Sequence, residues 1–250
     1  PAAPPALPSY WQRPAPGRID AVTTLDANGD GSIEFALVAA GRTIELIQGN
    51  GEPLWTTPFE TSEPIAAIGA FGNRLAVATA TTLSLLDAAQ TVVWELPLDS
   101  AATVQQLHEL NNGAGNPPTL LAQFSDGALL LVDPAGALRW RYTHGEAPAD
   151  QLDGVLQIAD LDADGRDDIL FAYATMRRLS RLDRIDAGSG ATVWSHAVGR
   201  VISAVGLIAF NDNRPLIAVA NDVGELHLLD ANRQPQWQPR TLNRPITTLA

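Results

Sequence analysis

The sequence predicts an all-β fold in which one four-stranded unit is repeated along the chain. Its six tryptophans recur at nearly even intervals, with gaps of 44, 39, 46, 54 and 43 residues. Four of them follow a short phrase made of an apolar residue, an aspartate and a small turn segment, with 7, 7, 8 and 7 residues from acid to indole. No useful length of the chain shows helical periodicity. A repeat of about 40 to 45 residues that reads as several short strands is typical of a β-propeller, in which each unit is one blade.

The clearest unit runs over 64–96, where turns rich in Gly, Asn, Asp or small residues separate four β-rich segments. Its predicted strands are Ile65–Phe71, Arg74–Thr79, Thr82–Leu86 and Val92–Leu96. The same order recurs over 19–55, 104–140, 155–194 and 202–237, so the sequence predicts five complete blades. The continuous apolar run 216–220 indicates an inner strand buried on both faces, and the alternating run 226–228 indicates a half-exposed strand beside it.

The two ends of the chain predict a ring closed by strands from opposite termini. Tyr10–Arg13 reads as a last strand with no earlier strands before it, and 245–250 reads as a first strand. A first segment lent to the final blade removes the exposed edges of an open propeller. We therefore expect 1–8 to be a Pro-rich linker and 9–250 to be one propeller domain. The completed ring has six or seven blades, with further residues expected after 250.

Composition narrows the possible partners and the compartment. The chain has 16 basic residues, all arginine, against 28 acids, and its net charge of −12 opposes nucleic acid or an anionic membrane as a general partner. It has no cysteine, which excludes disulfides and thiolate chemistry. The Pro-rich start is typical of a segment that follows a cleaved signal peptide or a membrane anchor. These observations predict an extracytoplasmic protein, secreted, periplasmic or at the cell surface.

Two loops, each between the first and second strands of a blade, carry the ligand pattern of a calcium site. Calcium takes six to eight oxygens, and alternate residues of a tightly curled loop point their oxygens at one centre. A glycine at position 6, Gly31 or Gly165, permits the sharp turn. The predicted ligands at positions 1, 3, 5, 7 and 9 are Asp26, Asn28, Asp30, Ser32 and Glu34 in the first loop, and Asp160, Asp162, Asp164, the Arg166 carbonyl and Asp168 in the second. The sequence thus predicts two Ca²⁺ sites.

The alternative is an Asp/Gly-rich turn whose side chains only cap its own backbone. An EF-hand is disfavoured because strands flank both loops. The corresponding loops at 109–118 and 211–214 have lost the acids, and we expect them to hold no calcium.

The calcium loops resemble those of FG-GAP repeats, the blades of integrin-α-type propellers. The Leu-Asp-Ala…Gly…Trp phrase is similar to PQQ-like propeller repeats, which occur in bacterial quinoprotein dehydrogenases and in a noncatalytic outer-membrane-assembly lipoprotein. The two resemblances cover 19–250 at the level of repeats. They imply that the blade tryptophans pack between neighbouring blades, namely Trp55, Trp94, Trp140, Trp194 and Trp237. An integrin-type propeller would have more than two calcium loops, and a quinoprotein would have vicinal cysteines and eight blades.

No catalytic constellation is predicted. The four histidines have no metal-ligand spacing, and each is expected to be a strand or loop residue with a satisfied ring; they are His108, His144, His196 and His227. The aspartate of each repeat is expected to cap a turn.

An arginine cluster predicts either a solvated strand paired with nearby acids or a docking patch for an acidic partner. Its members are Arg177, Arg178, Arg181 and Arg184.

Two functions remain open. One is a noncatalytic calcium-binding scaffold that presents a rigid face to a protein or ligand, as an adhesion, sensor or assembly domain. The other is a redox enzyme module of the quinoprotein kind with a cofactor in the central channel. Propellers host both functions.

Overall fold

The computed structural model describes residues 17–99, 101–144, 155–174, 180–208, 215–242, 244 and 246. These residues form five four-stranded antiparallel sheets and no helix. The predictions of an all-β fold and of five four-stranded blades are therefore confirmed. The chain divides into two compact units, Pro1–Asp99 and Ser100–Ala250. The predicted linker 1–8, the predicted strand Tyr10–Arg13 and nearly all of 245–250 lie outside the described residues.

The first unit contains two sheets. The strands of blade 1 are β1 (Ile19–Leu25), β2 (Glu34–Ala39), β3 (Thr43–Ile47) and β4 (Phe59–Glu60). The strands of blade 2 are β5 (Ala67–Phe71), β6 (Arg74–Ala78), β7 (Thr82–Leu86) and β8 (Val92–Pro97).

The second unit contains three sheets. The strands of blade 3 are β9 (Val104–Leu110), β10 (Thr119–Phe124), β11 (Leu129–Val132) and β12 (Leu138–Tyr142). The strands of blade 4 are β13 (Val155–Ala159), β14 (Asp168–Ala174), β15 (Ser180–Ile185) and β16 (Thr192–Ala197). The strands of blade 5 are β17 (Ile202–Ile208), β18 (Leu216–Asn221), β19 (Glu225–Leu229) and β20 (Arg240–Thr241).

Each sheet is a meander in which consecutive strands pair with one another. Burial follows strand position: all residues of β10 and β18 are buried, whereas β8 has no buried residue. Within each unit the apolar side chains of one sheet pack on those of the next, as Leu46 of blade 1 and Leu75 of blade 2 do in one cluster. Blades 3 and 4 share a second cluster, and blades 4 and 5 share a third. The inner strands therefore form the core and the fourth strands form the outer surface.

The repeat aspartate caps the turn between the third and fourth strands, as predicted. Asp133 is typical, because its Oδ1 accepts hydrogen bonds from the backbone N–H of Ala135 (3.0 Å) and of Ala137 (2.9 Å). The Ala137 hydrogen bond holds the pKa of Asp133 below its usual value, despite partial desolvation. Corresponding carboxylate-to-backbone contacts occur at Asp87, Asp186 and Asp230.

A hydrogen bond from the indole N–H to a backbone carbonyl of the next blade is made by Trp55, Trp140 and Trp194. The sequence did not reveal this contact. The indole N–H of Trp55 donates to the Ala88 carbonyl of blade 2 at 2.8 Å. Trp140 and Trp194 donate in the same way to Ala187 (2.9 Å) and Ala231 (2.8 Å). Each acceptor is the residue after the repeat aspartate of the following blade. The packing role predicted for these tryptophans is therefore confirmed, with a hydrogen bond added to it.

Two predictions about the tryptophans need correction. Trp237 is 41 % exposed rather than packed between blades. Blades 1 and 5 were also predicted to end at their tryptophans, but the fourth strands β4 and β20 begin after them. Pro58 and Pro239 follow these indoles closely, and proline has no N–H for the strand ladder.

Candidate cation-binding loops

The first loop, between β1 and β2, is organised by the carboxylate of Asp26. Its Oδ1 accepts hydrogen bonds from the backbone N–H of Gly29 (2.8 Å) and of Asp30 (3.1 Å). Its Oδ2 accepts from the N–H of Gly31 at 2.9 Å. Gly31 has a φ of 85°, a left-handed conformation that glycine adopts without a Cβ penalty. The curl that the sequence predicted is therefore present.

Glu34, the last residue of the first loop, has a carboxylate oxygen without a hydrogen-bond partner among the described residues. Its side chain is fully buried. Its Oε2 accepts a hydrogen bond from the N–H of Ala27 at 2.7 Å, so the carboxylate faces the loop. No donor in the described part of the chain satisfies the buried Oε1. A buried carboxylate oxygen without a partner is costly, and a bound cation would satisfy it.

The exposed half of the first loop makes the contacts of a turn. Asn28 donates from Nδ2 to Asp30 Oδ2 at 2.9 Å, and Asp30 Oδ1 accepts from the N–H of Ser32 at 2.7 Å. The backbone hydrogen bond from Ser32 lowers the pKa of Asp30, with Asn28 contributing further. Asp30 is thus held in the charged form that a metal ligand requires.

The second loop, between β13 and β14, repeats this arrangement in unit 2. Asp160 accepts from the N–H of Asp164 (3.1 Å) and of Gly165 (2.8 Å), as Asp26 does with its own loop. Asp168 Oδ2 accepts from the N–H of Leu161 at 3.2 Å, matching the contact between Glu34 and Ala27. Carboxylate oxygens of Asp160, Asp162 and Asp164 lie within 4.8 Å of one another. The two loops lie at equivalent positions of their blades, and each has the same arrangement of backbone N–H groups around its first aspartate.

Arg184 distinguishes the second loop from the first. Its Nε donates to Asp168 Oδ1 at 3.0 Å and its Nη2 donates to Asp168 Oδ2 at 2.8 Å. The same Nη2 reaches Asp162 Oδ2 at 2.6 Å, and Nη1 donates to the Ala231 carbonyl at 3.2 Å. Burial opposes the charge, but the hydrogen bonds and charges of Asp162 and Asp168 raise the pKa of Arg184. Two predicted calcium ligands are therefore ion-paired with the protein's own cation.

The predicted docking patch is wrong for Arg184. Its side chain is only 8 % exposed and is committed to the second loop, so it is not available to a partner. Arg181 is exposed on β15, whereas Arg177 and Arg178 lie outside the described residues. The repeat carried a signal that was missed: the residue two before the repeat aspartate is Leu85, Leu131 or Leu228 in other blades and arginine only here.

A polar cleft of about 370 Å³ opens beside the second loop within unit 2. It is lined on one side by Asp162, Asp164 and Arg166 of the loop, and on the other by Asp133 and Arg139 of blade 3. Asp133 and Arg139 are themselves ion-paired at 3.0 Å. The exposed edge of the second loop is thus open to solvent ions.

The structure brings two histidines together that the sequence left apart. His196 and His227 lie with their ring centroids 5.8 Å apart, and Glu225 Oε2 is 4.0 Å from His227 Nε2. Both Nε2 atoms are buried without a hydrogen-bond partner in the described chain. The prediction that each ring is satisfied is therefore wrong for these two atoms. Burial, with the neighbouring His227 ring, lowers the pKa of His196.

A buried polar cluster in unit 2 was also missed. Asp183 Oδ2 accepts hydrogen bonds from the hydroxyls of Tyr142 (2.7 Å) and Tyr173 (3.0 Å). Burial and the Asp183 charge raise the pKa of Tyr173 to about 12. These contacts join blade 3 to blade 4, and no sequence spacing marks them.

The chain is similar in structure to several solved proteins. BamB from Moraxella catarrhalis aligns with a TM-score of 0.51 at 17% identity, over 96% of this chain and 82% of BamB. The Pan2 WD40 domain from Neurospora crassa has a TM-score of 0.54 at 13% identity, over 85% of this chain and 61% of the other. Raptor from Chaetomium thermophilum has a TM-score of 0.57 at 15% identity, over 94% of this chain and 22% of Raptor.

At these identities the likeness shows the fold, and that fold is the β-propeller of four-stranded blades that the sequence predicted. No family model matches the sequence, and no curated protein sequence matches it either. The FG-GAP and PQQ-like resemblances therefore stay predictions. In the described part of the chain, no helix has the length and apolarity needed to cross a membrane.

Proposed function

We propose that this β-propeller is a noncatalytic scaffold that binds calcium at its two acidic loops and presents its surface to a protein partner outside the cytoplasm. The observation that carries the proposal is the buried Glu34 carboxylate, which faces a curled acidic loop with one oxygen unsatisfied. Its supporting observation is the matching arrangement of backbone N–H groups around Asp160 in blade 4. Calcium suits this chemistry because it is a hard ion that prefers carboxylate and carbonyl oxygens.

The extracytoplasmic part of the proposal rests on the proposed ion. Extracellular calcium modules work with dissociation constants of about 10⁻⁴ to 10⁻³ M, so exposed loops with few buried ligands can function there. The partner surface would include Arg181, which is exposed on a protein of net charge −12 and could orient an acidic group.

The test is thermal unfolding of the protein with calcium and with chelator. Calcium at a hundred times its dissociation constant should stabilise the native state by about 2.7 kcal/mol per site. Glu34→Gln keeps the side-chain shape and removes the charge, so it should raise the melting temperature in chelator and reduce the calcium-dependent increase. Glu60→Gln, at an exposed position of the same unit, is the matched control and should change neither value. Identical melting curves with calcium and with chelator would overturn the proposal.

A further inference from the structure

We infer that Arg184 is a tethered cation that competes with calcium at the second loop, so that the two loops bind calcium with different affinities. The inference rests on the proposed calcium function and concerns how that function is divided between the loops. The first loop depends on an external ion, and the second is held together by its own arginine. The observation behind it is the guanidinium of Arg184 lying on Asp162 and Asp168.

Arg184 occupies a position that is apolar in every other described blade. It pairs with Leu170 and with Trp194 in the sheet. The equivalent residues are buried leucines: Leu46, Leu85, Leu131 and Leu228. A guanidinium is costly to place in such a core position unless it is paired and hydrogen-bonded. The second loop supplies those partners, so the arginine and the acids of this blade act as one unit.

The geometry blocks the ligands directly. Arg184 Nε and Nη2 form a bidentate ion pair with the two oxygens of Asp168, at 3.0 and 2.8 Å. Nη2 also holds Asp162 Oδ2 at 2.6 Å. An oxygen that accepts a short charge-assisted hydrogen bond is less available to a metal, and the positive charge repels a divalent ion where water is scarce. Calcium must therefore displace Arg184 before it can use Asp168 or the Oδ2 of Asp162.

Displacement is opposed from the far side of the guanidinium. Nη1 donates to the Ala231 carbonyl of blade 5 at 3.2 Å, and Trp194 donates to the same carbonyl. Movement of Arg184 out of the loop thus breaks a contact between blades 4 and 5 as well as the ion pair. Both losses make calcium binding at this loop less favourable.

Among the residues that the structure describes, no arginine lies on the first loop as Arg184 lies on the second. Leu46 stands at the position of Arg184, and it is 1 % exposed. In the described residues, Glu34 Oε1 has no hydrogen-bond partner, whereas its counterpart Asp168 uses both oxygens on Arg184. The ligand set that lacks an internal cation should bind the external one more tightly.

The experiment is an amide NMR titration of the calcium-free protein, in which Gly31 reports the first loop and Gly165 the second. In the wild type we expect the Gly31 amide to shift at least tenfold lower in calcium concentration than the Gly165 amide. Arg184→Leu installs the residue of the other blades and should lower the Gly165 midpoint at least tenfold, while the Gly31 midpoint stays unchanged. Arg74→Leu, on the second strand of blade 2, is the control and should move neither midpoint.

The outcomes separate the inference from the function on which it rests. If neither amide responds to calcium, the proposed function fails. If Gly31 responds but Gly165 titrates at the same concentration in the wild type, Arg184 is no competitor and the inference fails alone. The inference also fails alone if Arg184→Leu folds and leaves the Gly165 midpoint unchanged. The wild-type comparison needs no variant, so it tests the competition even if Arg184→Leu does not fold.

Discussion

Replacing Trp55 should reveal how much one blade-to-blade tryptophan stabilises this propeller. Trp55 is 6 % exposed, and its ring centroid lies 6.5 Å from that of Phe59. Its indole N–H donates to the Ala88 carbonyl of the next blade at 2.8 Å. Trp55→Ala removes both the buried ring and the hydrogen bond, and we expect it to cost about 3 to 5 kcal/mol of unfolding free energy.

Two further variants divide that free energy into its parts. Trp55→Phe keeps an aromatic ring but leaves the Ala88 carbonyl without its donor, so it should cost about 1 to 2 kcal/mol. Trp237→Ala is the matched control because Trp237 is 41 % exposed, and it should cost less than about 1 kcal/mol. Urea unfolding followed by circular dichroism gives the midpoints, and an unchanged slope shows that only stability has changed. The reasoning is refuted if the Trp55 and Trp237 alanine variants are equally destabilised.

Two other substitutions test packing and protonation. Gly190→Ala should destabilise by about 1 to 3 kcal/mol more than Gly199→Ala, because a Cβ at Gly190 would lie 2.6 Å from Trp140 Cδ2 while one at Gly199 meets nothing, at nearly equal φ of 70° and 71°; equal urea midpoints would contradict this. Burial, followed by the neighbouring His227, lowers the pKa of His196, so the folded state takes up that proton less readily than the unfolded chain. The stabilisation contributed by neutral His196 is therefore fully present above its ordinary pKa of 6.5. It is lost as the pH falls through the lowered pKa of the folded state. The urea midpoint of the wild type should fall more between pH 7.5 and 5.5 than that of His196→Gln, and equal falls would count against the assignment.

The blade repeat was predictable because it leaves a strong periodic signal. In blade 2 the predicted strand Thr82–Leu86 is the observed β7, and the predicted Arg74–Thr79 differs from β6 by one residue. The loops were predictable for the same reason, since carboxylates at alternate positions with a glycine at the sixth define the curl locally. Each of these features depends on residues close together in the chain.

The features that escaped prediction depend on contacts distant in sequence. Arg184 meets Asp162 and Asp168 across two strands, and strand alternation alone could not show whether its side chain lay inside the blade. The contact between His196 and His227 joins two blades, and so does the hydrogen bond from Trp55 to the Ala88 carbonyl. Comparing equivalent positions among blades would have identified Arg184, whereas the histidine pair leaves no mark in the sequence.

Calcium binding at Glu34 is the central claim, and isothermal titration calorimetry tests it most directly. The calcium-free protein is titrated with calcium chloride beside Glu34→Gln, with both proteins in the same chelator-treated buffer. The proposed function predicts a saturable binding event in the wild type whose tightest site is weakened at least tenfold or lost in Glu34→Gln. Heat that matches the buffer blank, or a wild-type isotherm that Glu34→Gln reproduces, would contradict it.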